Sequence, residues 1–175
     1  MRIGELVTPE SDAELFDLDA EALLLKPVMA GDVFANVDTA GDDAEAVMIV
    51  GHPCVIRGSR GKLARRVPCA VVKEMDSPLP FAEWPERRWD KLPCPDSAGL
   101  GALSATALLE WRSVPKGQLK RSERRLTMTE RGVYVLQQRF THAITRCAVP
   151  IAAFESSSKH VMREAELEYE WVADW

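Results

Sequence analysis

The spacing of apolar residues changes once along this chain, and that change limits what it can fold into. Up to about residue 126 the apolar stretches are short and mostly continuous; beyond it they recur at three- and four-residue steps. Val33, Phe34 and Val37 form one strand beginning at Gly31. Ala46-Val47-Met48-Ile49-Val50 forms a second, ending at Gly51 and His52-Pro53. Short apolar runs bounded by turn residues are the mark of buried strands. Between these two, Thr39-Ala40-Gly41-Asp42-Asp43 has turn chemistry, so they pair as a hairpin. Residues 67–72 give a third strand alongside the second, and residues 105–114 a further strand or short helix.

The helical signal follows. Thr127 and Glu130 fit a capping box, in which two side chains satisfy free amides of a first helical turn. Val133, Leu136, Phe140, Ala143, Ile144 and Cys147 then form an apolar stripe, with Arg131, Gln138, His142 and Arg146 mostly opposite. Pro150 separates this helix from a second, expected from Ser157 or Ser158 to Val172 with Val161, Ala165, Tyr169 and Val172 buried. Strands first and helices last imply an α+β domain, a small antiparallel sheet or barrel packed with C-terminal helices.

At 175 residues a single domain is expected. It divides into a lead-in (1–30), a mainly β region (31–126) and two helices (127–175). In the lead-in, a short helix opens near Thr8-Pro9-Glu10, and Leu15, Phe16 and Leu18 pin it to the body. The β region includes an excursion at 76–104 that holds Pro78, Pro80, Pro85, Pro93 and Pro95 with Trp84 and Trp89. Such proline density excludes a long helix and leaves an irregular segment with a helical turn at 81–91. No apolar run is long enough to cross a membrane. Met1-Arg2-Ile3-Gly4-Glu5 lacks the apolar run of a signal peptide, so a cytoplasmic protein with reduced thiols is expected. Cys54, Cys69, Cys94 and Cys147 contain no C-x-x-C pair, and no metal or cofactor motif is present.

Charge is strongly segregated. Residues 1–50 carry 12 acids and 2 bases, residues 51–150 carry 9 acids and 18 bases, and residues 151–175 carry 6 acids and 2 bases. A basic middle between acidic ends marks either contact with an anionic partner or acidic ends folded against the middle. Two clusters carry the positive charge: Arg57, Arg60, Lys62, Arg65 and Arg66 around Gly58 and Gly61, then Lys116, Lys120, Arg121, Arg124 and Arg125. Glycines allow close backbone approach, and arginine forks match phosphate oxygens in pairs. The spacing is not that of a Walker loop. Little aromatic residue interrupts the second cluster, so contact is expected mainly with phosphates and should weaken with salt. The alternative is a non-catalytic interaction module whose patch meets an acidic protein.

His52-Pro53-Cys54 lies at a strand end, where sites are often built. If extended, His52 and Cys54 share a side, and a histidine that lowers a thiol's pKa makes Cys54 a candidate reactive nucleophile.

Gly31-Asp32-Val33-Phe34, a polar loop, Val47-Met48-Ile49-Val50 and later Ala70-Val71-Val72 resemble the opening of PemK/MazF-type toxin barrels. The resemblance covers residues 31–72. It implies a small SH3-like β-barrel, often a homodimer, and metal-independent cleavage of single-stranded RNA. Ala44-Glu45-Ala46 stands where that family has Arg-Pro, and Gly51-His52 where it has Ser or Thr. In a catalytic version Arg57 or Arg60 stabilises charge developing on phosphorus, and His52 acts as general acid or base.

Overall fold

A computed structural model describes residues 6–19, 23, 26–39, 43–57, 62–77, 89–95, 99–100 and 103–167, with side chains through His160. Seven strands form one antiparallel sheet: β1 (Phe16–Asp17), β2 (Val33–Val37), β3 (Glu45–Ile49), β4 (Arg66–Glu74), β5 (Lys91–Cys94), β6 (Ser104–Pro115) and β7 (Arg124–Met128). Their order across the sheet is β1-β7-β2-β3-β4-β6-β5, so β1 and β5 are its edges. Among the described residues four α-helices accompany them: α1 (Asp12–Leu15), α2 (Pro53–Ile56), α3 (Glu130–Thr145) and α4 (Ile151–Leu167). Of the two forms expected, barrel or sheet, this order describes an open sheet packed with C-terminal helices.

The hairpin forms as expected, with Val33 opposite Met48 and Phe34 opposite Val47. The third strand then pairs Ala70 with Met48 and Cys69 with Ile49. The long ladder runs between β4 and β6, from Arg66 opposite Pro115 to Glu74 opposite Ser104. It is interrupted where Ala70 faces Trp111 but Val71 faces Ala107. The residues between Ala107 and Trp111 therefore bulge from β6, and Leu109 is exposed there. Val33, Phe34, Val47, Met48, Ile49, Cys69, Leu92 and Leu108 are fully buried, and Val133, Val135 and Leu136 join them from α3.

Three short strands escape the sequence pattern; β1 falls in the lead-in, where a short helix is expected. β5 lies in the Pro/Trp-rich excursion, most of which falls outside the described residues, as does the helical turn expected at 81–91 except at its end. β7 lies inside the second basic cluster, where Arg124, Leu126 and Met128 alternate inward.

The helices differ from expectation at their ends. Thr127 belongs to β7, opposite Asp17, and Thr129 is the N-cap of α3: its hydroxyl accepts from the Gly132 amide at 2.9 Å. That hydroxyl also donates to the Glu14 carbonyl at 2.7 Å, which holds α1 against the start of α3. Gly132 makes this approach possible, because a Cβ there would lie 2.0 Å from the Leu15 carbonyl oxygen. α4 starts at Ile151, directly after Pro150, so Ser157 and Ser158 are interior to it rather than its cap. The stripe assigned to Val161, Ala165, Tyr169 and Val172 lies outside the described side chains.

The α3 stripe is wider than its periodicity suggests. Gln137, Gln138, Arg139 and His142 are buried, whereas Ile144 and Cys147 are exposed. Buried polar groups need partners. Gln138 accepts from the Val7 amide at 2.8 Å and donates to the Val149 carbonyl at 2.8 Å; Arg139 donates to the Val7 carbonyl at 2.6 Å. The polar side of α3 is thus covered by the lead-in and by the chain entering α4. Leu15 and Phe16 are buried as expected of the lead-in, but Leu18 is exposed.

A buried ion pair closes the lead-in onto the sheet. Arg124 Nη2 lies 2.7 Å from Asp32 Oδ1, both side chains wholly buried. The same guanidinium reaches the carbonyls of Leu23, Lys26 and Pro27 and the Thr127 hydroxyl, while Asp32 accepts from the Met29 amide. Arg124→Met is expected to lower the unfolding free energy by about 3–5 kcal/mol, because it leaves a buried carboxylate without its cation. Asp32→Leu combined with Arg124→Met is expected to cost less than the two single changes added together. Urea unfolding of the three variants measures both.

Candidate functional site

The two basic clusters touch where β4 begins and β6 ends. The β4–β6 register sets Arg66 opposite Pro115, and the Lys116 amide donates to the Arg65 carbonyl at 3.1 Å. From there the chain runs through the turn of Lys116–Gln118 to a second at Arg121–Glu123, which lies toward the other end of the sheet, before entering β7. Asn36 of β2, with φ at 52°, donates to Glu123 at 2.8 Å and so ties the second turn to the sheet. Loop residues 58–61, which include Arg60, fall outside the described residues. Beyond them Leu63 bridges back to Arg57, and Lys62 before it is exposed.

The positions named from sequence divide sharply. Lys62, Arg65, Arg66, Lys116, Lys120 and Arg125 are exposed, and Arg121 is half-buried. Arg66 bonds the Ser113 hydroxyl at 3.0 Å and also the Ser113 carbonyl. Arg125 is paired with Glu123 at 3.1 Å. Among the described residues, no carboxylate lies within ion-pair distance of Lys62, Arg65, Lys116, Lys120 or Arg121.

Arg57 and Arg124 point inward instead. Both are about 4% exposed. Arg57 donates through Nη2 to the Val28 carbonyl at 2.8 Å, beside the stretch that Arg124 holds. Two members of the basic clusters therefore clamp the lead-in rather than face outward. Arginine suits that task because its fork carries several donors at fixed angles and remains charged when buried.

His52 also serves the fold. It is the N-cap of α2, and its Nδ1 accepts from the Cys54 amide at 3.2 Å. Nδ1 as acceptor puts the ring proton on Nε2, which lies 3.1 Å from the Ser158 hydroxyl. Ser158, wholly buried on α4, lies 3.2 Å from Gln137 Oε1 on α3. The proton sequence runs from His52 to Ser158 to Gln137. A serine activated as nucleophile needs the reverse, a ring nitrogen free to accept from it. This Ser–His contact is therefore a tie between α2, α3 and α4. Ser158 and Gln137 carry no sequence signal for it, since only the packing of the helices brings them to His52.

Cys54 is exposed, and His52 engages its backbone amide. The buried thiols Cys69 and Cys94 are pushed by desolvation to about 12 and about 11. Among the described residues there is no cluster of three or more His, Cys, Asp or Glu that could hold a metal ion. None of their helices is long and apolar enough to cross a membrane. No family model and no curated protein sequence matches this chain.

Burial lowers the pKa of His52 below its ordinary 6.5. As pH falls, the unfolded chain takes up this proton before the folded one. The stabilisation from neutral His52 is thus complete above its ordinary pKa and is lost as pH falls through the lowered folded value. His52→Asn keeps a capping oxygen but removes the titration. Its stability, measured by denaturant midpoints between about pH 7 and pH 5, is expected to fall less with acidification than that of the wild type.

Proposed function

We propose that the protein binds single-stranded nucleic acid, RNA in particular, along the basic rim where β4 begins and β6 ends. The observation that carries this reading is the meeting of Arg65, just before β4, with Lys116, just after β6: exposed cations from separate stretches of the chain that lack carboxylate partners among the described residues. Like charges gathered at one exposed edge create a field that attracts a polyanion. These cations sit on turns and at a strand start, not on a projecting helix. That placement suits a flexible single strand better than the major groove of a duplex. The likeness of residues 31–72 to RNA-cleaving PemK/MazF-type barrels supports RNA as the ligand.

The reading is one of binding. Both nitrogens of His52 are engaged within the fold, and Arg57 is turned toward Val28. Acid–base cleavage through this pair would require the α2–α4 contact to open, and nothing in the site's geometry favours that.

Fluorescence anisotropy with a labelled RNA of mixed sequence, chelator present, across a salt series tests the proposal. Affinity is expected to fall steeply with salt. Each of Arg65→Ala, Lys116→Ala and Lys120→Ala should weaken binding and reduce the slope of log K against log salt by about 0.7. Tighter binding of an acidic peptide than of RNA at equal salt, or no binding of RNA at low salt, overturns the reading.

A further inference from the structure

We propose that Trp111 is the base-stacking platform of this surface, an inference that rests on the nucleic-acid reading above. Trp111 is 47% exposed, although tryptophan is normally well buried. It is nevertheless held in place. Its indole N–H donates to the Leu108 carbonyl at 2.6 Å, across the bulge in β6. On one side it packs against Phe140 of α3, with centroids 5.2 Å apart and planes inclined at 40°. An exposed aromatic ring fixed in this way loses little freedom when a flat ligand stacks on it.

The ring adjoins the basic rim. Strand alternation puts Trp111 and Ser113 on one face of β6, and Ser113 is where the Arg66 guanidinium is bound. Trp111 precedes Pro115 by four residues, about 13 Å along the strand, so a short oligonucleotide reaches both the ring and Lys116. The acids nearest in the ladder already have cations: Glu110 is bonded to Lys73 and Glu45 to Arg112. An aromatic surface next to cations without carboxylate partners among the described residues complements a nucleobase followed by its phosphates. A purely apolar partner would leave the cations unanswered.

The decisive comparison uses the full-length protein and two ligands of equal length, about 12 nucleotides: oligouridylate and its abasic ribose-phosphate counterpart. Trp111→Leu preserves apolar packing on Phe140 but has no aromatic face, and Trp111→Phe keeps one. Trp111→Leu is expected to bind oligouridylate about tenfold more weakly, and Trp111→Phe to retain most of the affinity. Neither change should alter the salt slope or binding of the abasic strand. If Trp111→Leu binds oligouridylate as the wild type does while Lys116→Ala weakens it, the stacking role is overturned and the basic rim stands. If the wild type binds neither strand at low salt, the nucleic-acid reading fails and the stacking role with it. Equal wild-type affinity for both strands also overturns stacking, since the base then contributes nothing.

Discussion

The pairing of Asp32 with Arg124 is the constraint on which the rest of this structure depends. Asp32 sits immediately before β2, and its own carbonyl accepts from the Ile49 amide of β3 at 2.9 Å. Arg124 opens β7, which pairs with both β1 and β2. One buried pair thus fixes the junction of the lead-in with the strands on either side of β2. Desolvation raises the Asp32 carboxyl, and Arg124 and the Met29 amide oppose the shift. A buried pair of this kind contributes less to net stability than its contacts suggest. Its effect is on specificity, since the alternative to this seat is an unpaired charge in the core.

Gly31 belongs to the same arrangement. Its φ of 90° lies in the region that side chains resist, and a Cβ there would lie 2.4 Å from Met128 Sδ. The Gly31-Asp32 pair therefore has a local physical reason that holds whether or not the chain is related to the toxin barrels it resembles. Glycine lets β7 close over the turn, and aspartate answers the arginine that β7 brings.

The strands legible in the sequence are those whose apolar residues run together, β2, β3 and β4, whereas the segment of β6 reads equally as strand or short helix. β7 was hidden because Arg124 was counted by charge when its spacing with Leu126 and Met128 gave it an inward side. An arginine in step with two buried apolar residues is a signal that the sequence does contain. The buried polar side of α3 could not be read in this way. Gln138 and Arg139 are inside because the backbone at Val7 and Val149 comes to meet them, and no periodicity in α3 announces segments so distant in the chain. The rim was partly legible: both basic clusters could be named, but their meeting depends on the register of β4 with β6.

The segregated charge is resolved in two ways at once. Some of the acidic first third does fold against the basic middle: Asp32 meets Arg124, Glu14 meets Arg131 and Glu45 meets Arg112. Lead-in acids also answer one another's neighbours, as Asp17 answers Lys26. These contacts lie along the lead-in, the start of α3 and the strands. None of them reaches the rim formed by Arg65, Lys116 and Lys120. Had the acids served only to neutralise the middle, the cheapest place to put them would have been beside the densest cations, where Coulomb attraction is largest. Among the described residues the acids paired with arginines lie elsewhere: Asp32 holds the inward-turned Arg124, and Glu14 and Glu45 meet Arg131 and Arg112 nearer the surface. The register of β4 with β6 that builds the sheet also sets Arg65 beside Lys116 at its edge, and the proposed contact with an anionic partner rests on that pairing.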